Sequence, residues 1–157
     1  TGVQTCALPI WVTGDSVILG IRHELETTHP IALINARVGR QAPELLEVMR
    51  HDLANVGNSP VVFNLGNNNA LTRDQVVAIF EVAKTAPKAI VVNTAVPRPW
   101  KEANNTLISE VARGYARTAV IDWNSLSEGH PEYFAPDGVH LVPTGVAVYV
   151  SEIEKYL

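Results

Sequence analysis

Short apolar runs alternate along this chain with longer segments of helical period, the arrangement expected where a parallel sheet is covered by helices on both faces. The first run ends at Thr13, and Val17 to Glu26 follows with Ile18, Ile21, Arg22 and Leu25 on one stripe, closed by His29 and Pro30. Ile31 to Ile34 reads as the second strand. Pro43 fits the first turn of the next helix, whose buried face is marked by Leu45, Leu46, Met49, Leu53 and Val56. After a turn at Asn58, Ser59 and Pro60, Val61 to Leu65 is the third strand. Thr72 and Gln75 form a capping box opening a helix through Val76, Ile79, Phe80 and Ala83, and Pro87 ends that unit. Ala89 to Asn93, a helix from Lys101 to Ala116, the strand Thr118 to Ile121 and a last helix from Thr144 to Leu157 complete the pattern. With no repeat or linker, residues 11–157 are predicted to form one doubly wound α/β domain.

Composition narrows the class. Hydrophobic residues make up 46% and charged residues 18% of the 157 residues, an ordinary globular balance rather than a disordered one. The net charge of −4, with no run of basic residues, argues against a nucleic-acid partner. No apolar stretch approaches the length of a membrane span. Residues 1–10, TGVQTCALPI, resemble the translation of a sequencing-library adapter and are set aside from the fold. The gene is therefore expected to continue upstream, and since the single cysteine, Cys6, falls in that segment, cysteine usage says nothing of redox compartment.

In open parallel sheets ligands bind beyond the carboxyl ends of the strands, so the loops there hold the candidate chemistry. These loops are Gly14-Asp15-Ser16, Arg37-Val38-Gly39-Arg40, Gly66-Asn67-Asn68-Asn69 and Pro97-Arg98-Pro99-Trp100. Ser16 opens a helix, where free N–H groups and the positive dipole end favour an oxyanion. A serine there is ordinarily an N-cap, and a base is needed to make it a nucleophile. Asp137-Gly138-Val139-His140 supplies one, since a carboxylate three residues before a histidine can hold one ring nitrogen and leave the other facing a hydroxyl. The Asn68 amide is a candidate oxyanion donor, although an Asn-rich segment after glycine also reads as a plain turn. His23-Glu24 lacks the second histidine of a zinc helix, and His130 has no neighbour at ligand spacing, so no metal is expected. The sequon at Asn104-Asn105-Thr106 lies in a predicted helix and is read as chance.

Gly14-Asp15-Ser16, the lone Gly39, Gly66-Asn67-Asn68 and Asp137-Gly138-Val139-His140 together resemble the four blocks of the SGNH hydrolase superfamily, over residues 12–157. Within it, TGDSVILG, NARVGRQ, VNTAVPRPW and VIDWNSLSEGHPEYFAPDGVHLVPTG are most similar to the extracytoplasmic SGNH domain of bacterial peptidoglycan O-acetyltransferases. The resemblance implies a three-layer αβα sandwich with a five-stranded parallel sheet, flavodoxin-like. It implies Ser16 as nucleophile, His140 as base and Asp137 as its orienter, with the Ser16 N–H, the Gly39 N–H and the Asn68 amide as oxyanion donors. Asn67 stands where a small hydroxyl residue is usual and Asn69 where Gly or Asp is common, both on the acceptor side. With Arg98 and Trp100 they are the expected substrate-binding residues, and Tyr133 and Phe134 are further candidates to stack on a sugar. The expected activity is acetyl transfer to a muramic acid hydroxyl without a cofactor. The expected partners are peptidoglycan or another glycan and an upstream acyltransferase family 3 membrane domain as acyl donor, which would tether the chain at the extracytoplasmic face of the membrane. An SGNH esterase acting on carbohydrate or lipid esters, and a non-catalytic glycan-binding module, are the alternatives.

Overall fold

The computed structural model describes residues 9–56 and 58–157. Its elements follow in the order β1 (Trp11–Gly14), α1 (Ser16–Thr28), β2 (Leu33–Ala36), α2 (Ala42–Val56), β3 (Val61–Asn64), α3 (Arg73–Ala83), β4 (Ala89–Val92), α4 (Lys101–Ala112), β5 (Thr118–Ile121), α5 (Trp123–Ser127) and α6 (Pro143–Glu154), with a 3-10 turn at Pro131–Tyr133. The five strands are all parallel in the order β2-β1-β3-β4-β5, the flavodoxin-like winding.

The two-residue period of the strands divides the core into two layers. Trp11, Val61, Phe63, Ala89 and Val91 face α2, α3 and α4, where Met49, Ile79, Phe80 and Ile108 meet them. Val12, Val62, Ile90 and Val92 face α1 and α6 and pack on Ile18, Ile21, Leu25, Val150 and Ile153. Phe63 and Phe80 meet edge-on with ring centroids 6.0 Å apart. The central strands β1, β3 and β4 are buried along their whole length, which is why apolar residues dominate them on both faces.

Several boundaries differ from the sequence expectation, each for a local reason. The second strand begins at Leu33 rather than Ile31: the His29 carbonyl accepts from Ala32 N, so the chain turns before Leu33 N reaches Ile10 O. As an edge strand it leaves Leu33 49% exposed, and Ile31 just before it 47%. Arg22, placed on the buried stripe of α1, is exposed and pairs with Glu26 one turn on. The fourth helix ends at Ala112 instead of Ala116, as Gly114 and Tyr115 close tight turns onto Val111 and Ala112. The last helix starts one residue earlier, with Pro143 in its first turn, and stops at Glu154. In α2, Leu46 and Leu53 are only partly buried, and the Val56 side chain lies outside the described residues. Of the segment set aside at the N-terminus, residues 1–8 also lie outside them, while Ile10 is buried. Among the described residues no helix is long and apolar enough to cross a membrane.

The winding reverses between β1 and its two neighbours, so the loops leaving β1 and β3 diverge there and open a crevice. Into it the chain brings Asp15 and Ser16 from β1, residues 65–69 from β3 and the turn before α6.

Candidate active site

Ser16 is the first residue of α1, and Asp15 is the N-cap, its side chain accepting from Val17 N at 2.9 Å. The N-cap alternative for Ser16 therefore falls away, and the Ser16 hydroxyl is left for other contacts. It lies 2.9 Å from His140 Nε2. On the far side of the ring, His140 Nδ1 lies 2.5 Å from Asp137 Oδ2. Asp137 Oδ1 also accepts from Val139 N at 2.8 Å and His140 N at 3.0 Å. The His140 ring and these two backbone N–H groups bring the Asp137 carboxyl down from 3.8 to about 2. An ionised carboxylate only accepts, so Nδ1 carries the ring proton and Nε2 is the acceptor facing the Ser16 hydroxyl. The tautomer is thus the one a general base requires.

The Asp137–His140 segment is held between two fixed points. Ala135 N donates to His140 O, and Phe134 bridges antiparallel to Leu141, so the turn closes on itself. At Gly138, with φ +69°, a Cβ would lie 3.2 Å from Pro97 Cγ, so the turn packs directly on the loop after β4. Tyr133 and Phe134, candidates for sugar stacking, instead pack on Trp123 with centroids 5.9 and 6.2 Å away. They anchor the turn, and His130 stacks on Tyr133 at 4.6 Å.

Opposite His140, three candidate oxyanion donors gather. Among the described residues, the N–H groups of Ser16 and Gly39 have no backbone partner, and both residues line the cleft. Asn68 Nδ2 lies on the same wall but is engaged, donating to Asp15 Oδ2 at 3.0 Å and to Arg40 O at 3.3 Å. The cleft has a volume of about 340 Å³ and is bordered by Ser16, His140, Asn67, Val38, Arg98 and Trp100. Asn69 lies elsewhere: it is exposed, bonds Gln41, and borders a smaller cavity behind the loop.

No protein-family model matches the chain. It is 36% identical over 148 residues to YrhL of Bacillus subtilis, covering 94% of this chain and 23% of that protein. It is 37% identical over 145 residues to the peptidoglycan O-acetyltransferase OatA of Listeria monocytogenes, covering 92% and 23%. The chain thus spans just under a quarter of the length of these curated relatives. Among solved structures, the C-terminal catalytic domain of Streptococcus pneumoniae peptidoglycan O-acetyltransferase A superposes with a TM-score of 0.79 at 26% identity, over 96% of this chain and 93% of that one. The chain is an SGNH domain of the OatA type.

Two features of this SGNH domain were not singled out from its sequence. The first is Asp15, whose buried carboxyl accepts from Val17 N, Asn64 Nδ2, Asn67 Nδ2 and Asn68 Nδ2, while Asp15 N donates to Asn64 Oδ1. The second is Asn104, the residue of the chance sequon. Its buried amide donates to Gly66 O and Asn69 O and accepts from Leu71 N, so it fastens the loop that carries Asn67 and Asn68. Its place one turn before Ile108 and two before Val111, on the apolar face of α4, is the sequence signal that could have found it. Trp100 Nε1 reaches Asn67 O at 3.3 Å, joining the cleft wall to that loop. The Arg98 guanidinium is exposed at the rim, bonded to Pro97 O. Among the described residues no group of three or more His, Cys, Asp or Glu is placed to hold a metal ion.

Proposed function

We propose that this domain is a serine-dependent O-acetyltransferase acting on cell-wall peptidoglycan. Ser16 Oγ attacks the carbonyl carbon of an acetyl ester as its proton passes to His140 Nε2. The N–H groups of Ser16 and Gly39 and the Asn68 amide hold the carbonyl oxygen as it becomes negative. Collapse expels the donor alcohol, which takes the proton from His140 and leaves acetyl-Ser16. An acceptor hydroxyl on muramic acid then attacks this ester as its proton passes to His140, and collapse releases the acetylated sugar as His140 returns that proton to Ser16 Oγ. Asp137 keeps the ring in its working tautomer throughout and stabilises the imidazolium.

The observation that carries this reading is the unbroken Ser16–His140–Asp137 relay opening directly onto the cleft. The names of the relatives supply the reaction class and acceptor. Arg98 suits a carboxylate on the acceptor and Trp100 a sugar ring, with Asn67 beside them on the cleft wall. The acyl donor would be presented by a membrane acyltransferase domain encoded upstream, which places the site on the extracytoplasmic face.

Hydrolysis is the second reading, and one feature favours it: the His140 and Asp137 side chains are 50% and 45% exposed, so water reaches the acyl-serine whenever no glycan covers them. Intact mass of the protein after incubation with an activated acetyl ester, with and without a muropeptide acceptor, separates these. An adduct on Ser16 that passes to the sugar faster than to water supports the transferase. One that passes only to water makes the protein an esterase. No adduct under either condition refutes both and leaves a binding module.

A further inference from the structure

Asp15 is 4% exposed, adjoins the nucleophile in sequence, and takes no part in the reaction just described. Its backbone N–H and carboxyl together make five hydrogen bonds. Two close a reciprocal pair with Asn64, at 3.1 and 2.8 Å, and one caps α1 through Val17 N. The other two both end on Oδ2, from Asn67 Nδ2 at 2.9 Å and Asn68 Nδ2 at 3.0 Å. One buried oxygen thus gathers two neighbouring amides from a loop 52 and 53 residues away.

The geometry assigns Asp15 as the positioning residue of the oxyanion wall, an inference that rests on the acyl-transfer reading. A primary amide has two N–H bonds. Asp15 takes one from Asn68 at 3.0 Å, and the other reaches Arg40 O at the longer 3.3 Å. The longer bond is the weaker, and it is this N–H that is available to the developing oxyanion. The bond to Asp15 stays in place and fixes the plane of the amide relative to Ser16. Asn67 has a defined part in this: it shares Oδ2, so the carboxyl stays held to the loop while Asn68 changes partner. The same carboxyl caps the helix that presents Ser16, so nucleophile and oxyanion donor are set against one rigid group.

The site requires a hydrogen-bond acceptor at both side-chain oxygens, since four N–H groups converge on them, two on each. Asp15→Asn offers an NH₂ group where one of those oxygens was, and Asn67 and Asn68 then face a donor. Asp15→Ser keeps a side-chain oxygen for the helix cap but cannot reach the loop.

The test is the rate at which Ser16 is acetylated by an activated acetyl ester, read by intact mass in wild type, Asp15→Asn, Asn68→Ala and the double variant. A misaligned donor costs up to about 10²-fold in acylation rate. The expected result is a fall of roughly ten- to a hundredfold for Asp15→Asn in kcat with KM little moved, and a much smaller further fall when Asn68 is already Ala. Additive losses, or a full rate in Asp15→Asn, overturn the inference while leaving the acyl-transfer reading intact. A wild type that is never acetylated overturns that reading instead. If Asp15→Asn does not fold, Asp15→Ser takes its place in the cycle. A measurement on wild type alone adds an arm free of any variant: of the two Asn68 side-chain amide protons, one should exchange slowly with solvent and one quickly, and two equally fast protons overturn the assignment.

Discussion

His140 Nε2 and Ser16 Oγ stand 2.9 Å apart although 124 residues separate them in the chain. The distance is set from both ends. Ser16 is fixed by a capped helix leaving the buried strand β1, and His140 by a turn stapled to Trp123 through Tyr133 and Phe134. Neither support touches the reacting atoms, yet a shift of either by an ångström would break the relay.

Asp137→Asn should leave the fold intact and depress turnover of an activated acetyl ester on the order of 10⁴-fold, because the imidazole loses the partner that selects its tautomer. Undiminished turnover in protein with wild-type circular dichroism would remove Asp137 from the mechanism.

The same residue makes a pH prediction. Folding lowers its carboxyl from 3.8 to about 2, so the unfolded chain binds this proton more readily. Its stabilisation is then fully present above pH 3.8 and is lost as pH falls towards 2. Thermal unfolding of wild type and Asp137→Asn should differ at neutral pH and converge across that window. A gap that widens on acidification would contradict the assigned sign.

Gly14→Ala should damage both stability and activity. The added Cβ would lie 1.9 Å from Asn64 Oδ1 and 2.6 Å from Ile18 Cγ1, wedging apart the Asp15–Asn64 pair. A loss of about 1–3 kcal/mol in urea unfolding is expected from such overpacking.

Asn104→Ala leaves Gly66 O, Asn69 O and Leu71 N without their partner. Each buried group left unpaired costs about 1–3 kcal/mol. The loop bearing Asn67 and Asn68 should loosen, so kcat should fall together with the unfolding midpoint. Asn104→Asp, which keeps the acceptor but loses both donors, should recover only the part owed to Leu71 N.

Thr72→Ala tests the opposite case. It removes the capping box of α3, in which Thr72 Oγ1 accepts from Gln75 N and Gln75 Oε1 from Thr72 N, at a cost of about 1 kcal/mol. Acylation of Ser16 below the melting range should not change, because α3 lies on the far layer of the sheet. A parallel loss of kcat would mean that the helix start communicates with the loop before it.

What the sequence by itself determined was local or periodic. The Thr72–Gln75 box and the stripe Val76, Ile79, Phe80 and Ala83 appear as read, because capping and helical period involve residues within a few positions of one another. The five short apolar runs marked the strands for the same reason, and the order of the blocks bearing Ser16, Asn68 and His140 was legible with them; which strands lie at the centre of the sheet was not. Tertiary structure alone decided the rest. Whether Ile31 pairs with the sheet depended on where the turn after α1 ends, and whether Tyr133 binds sugar or core depended on Trp123 lying beneath it. That the Asp15 carboxyl, and not the Ser16 hydroxyl, caps α1 and also collects the amides of Asn64, Asn67 and Asn68 follows from bringing the ends of β1 and β3 side by side. A hydrogen bond between residues some fifty positions apart has no period and no composition, so only the folded chain can specify it.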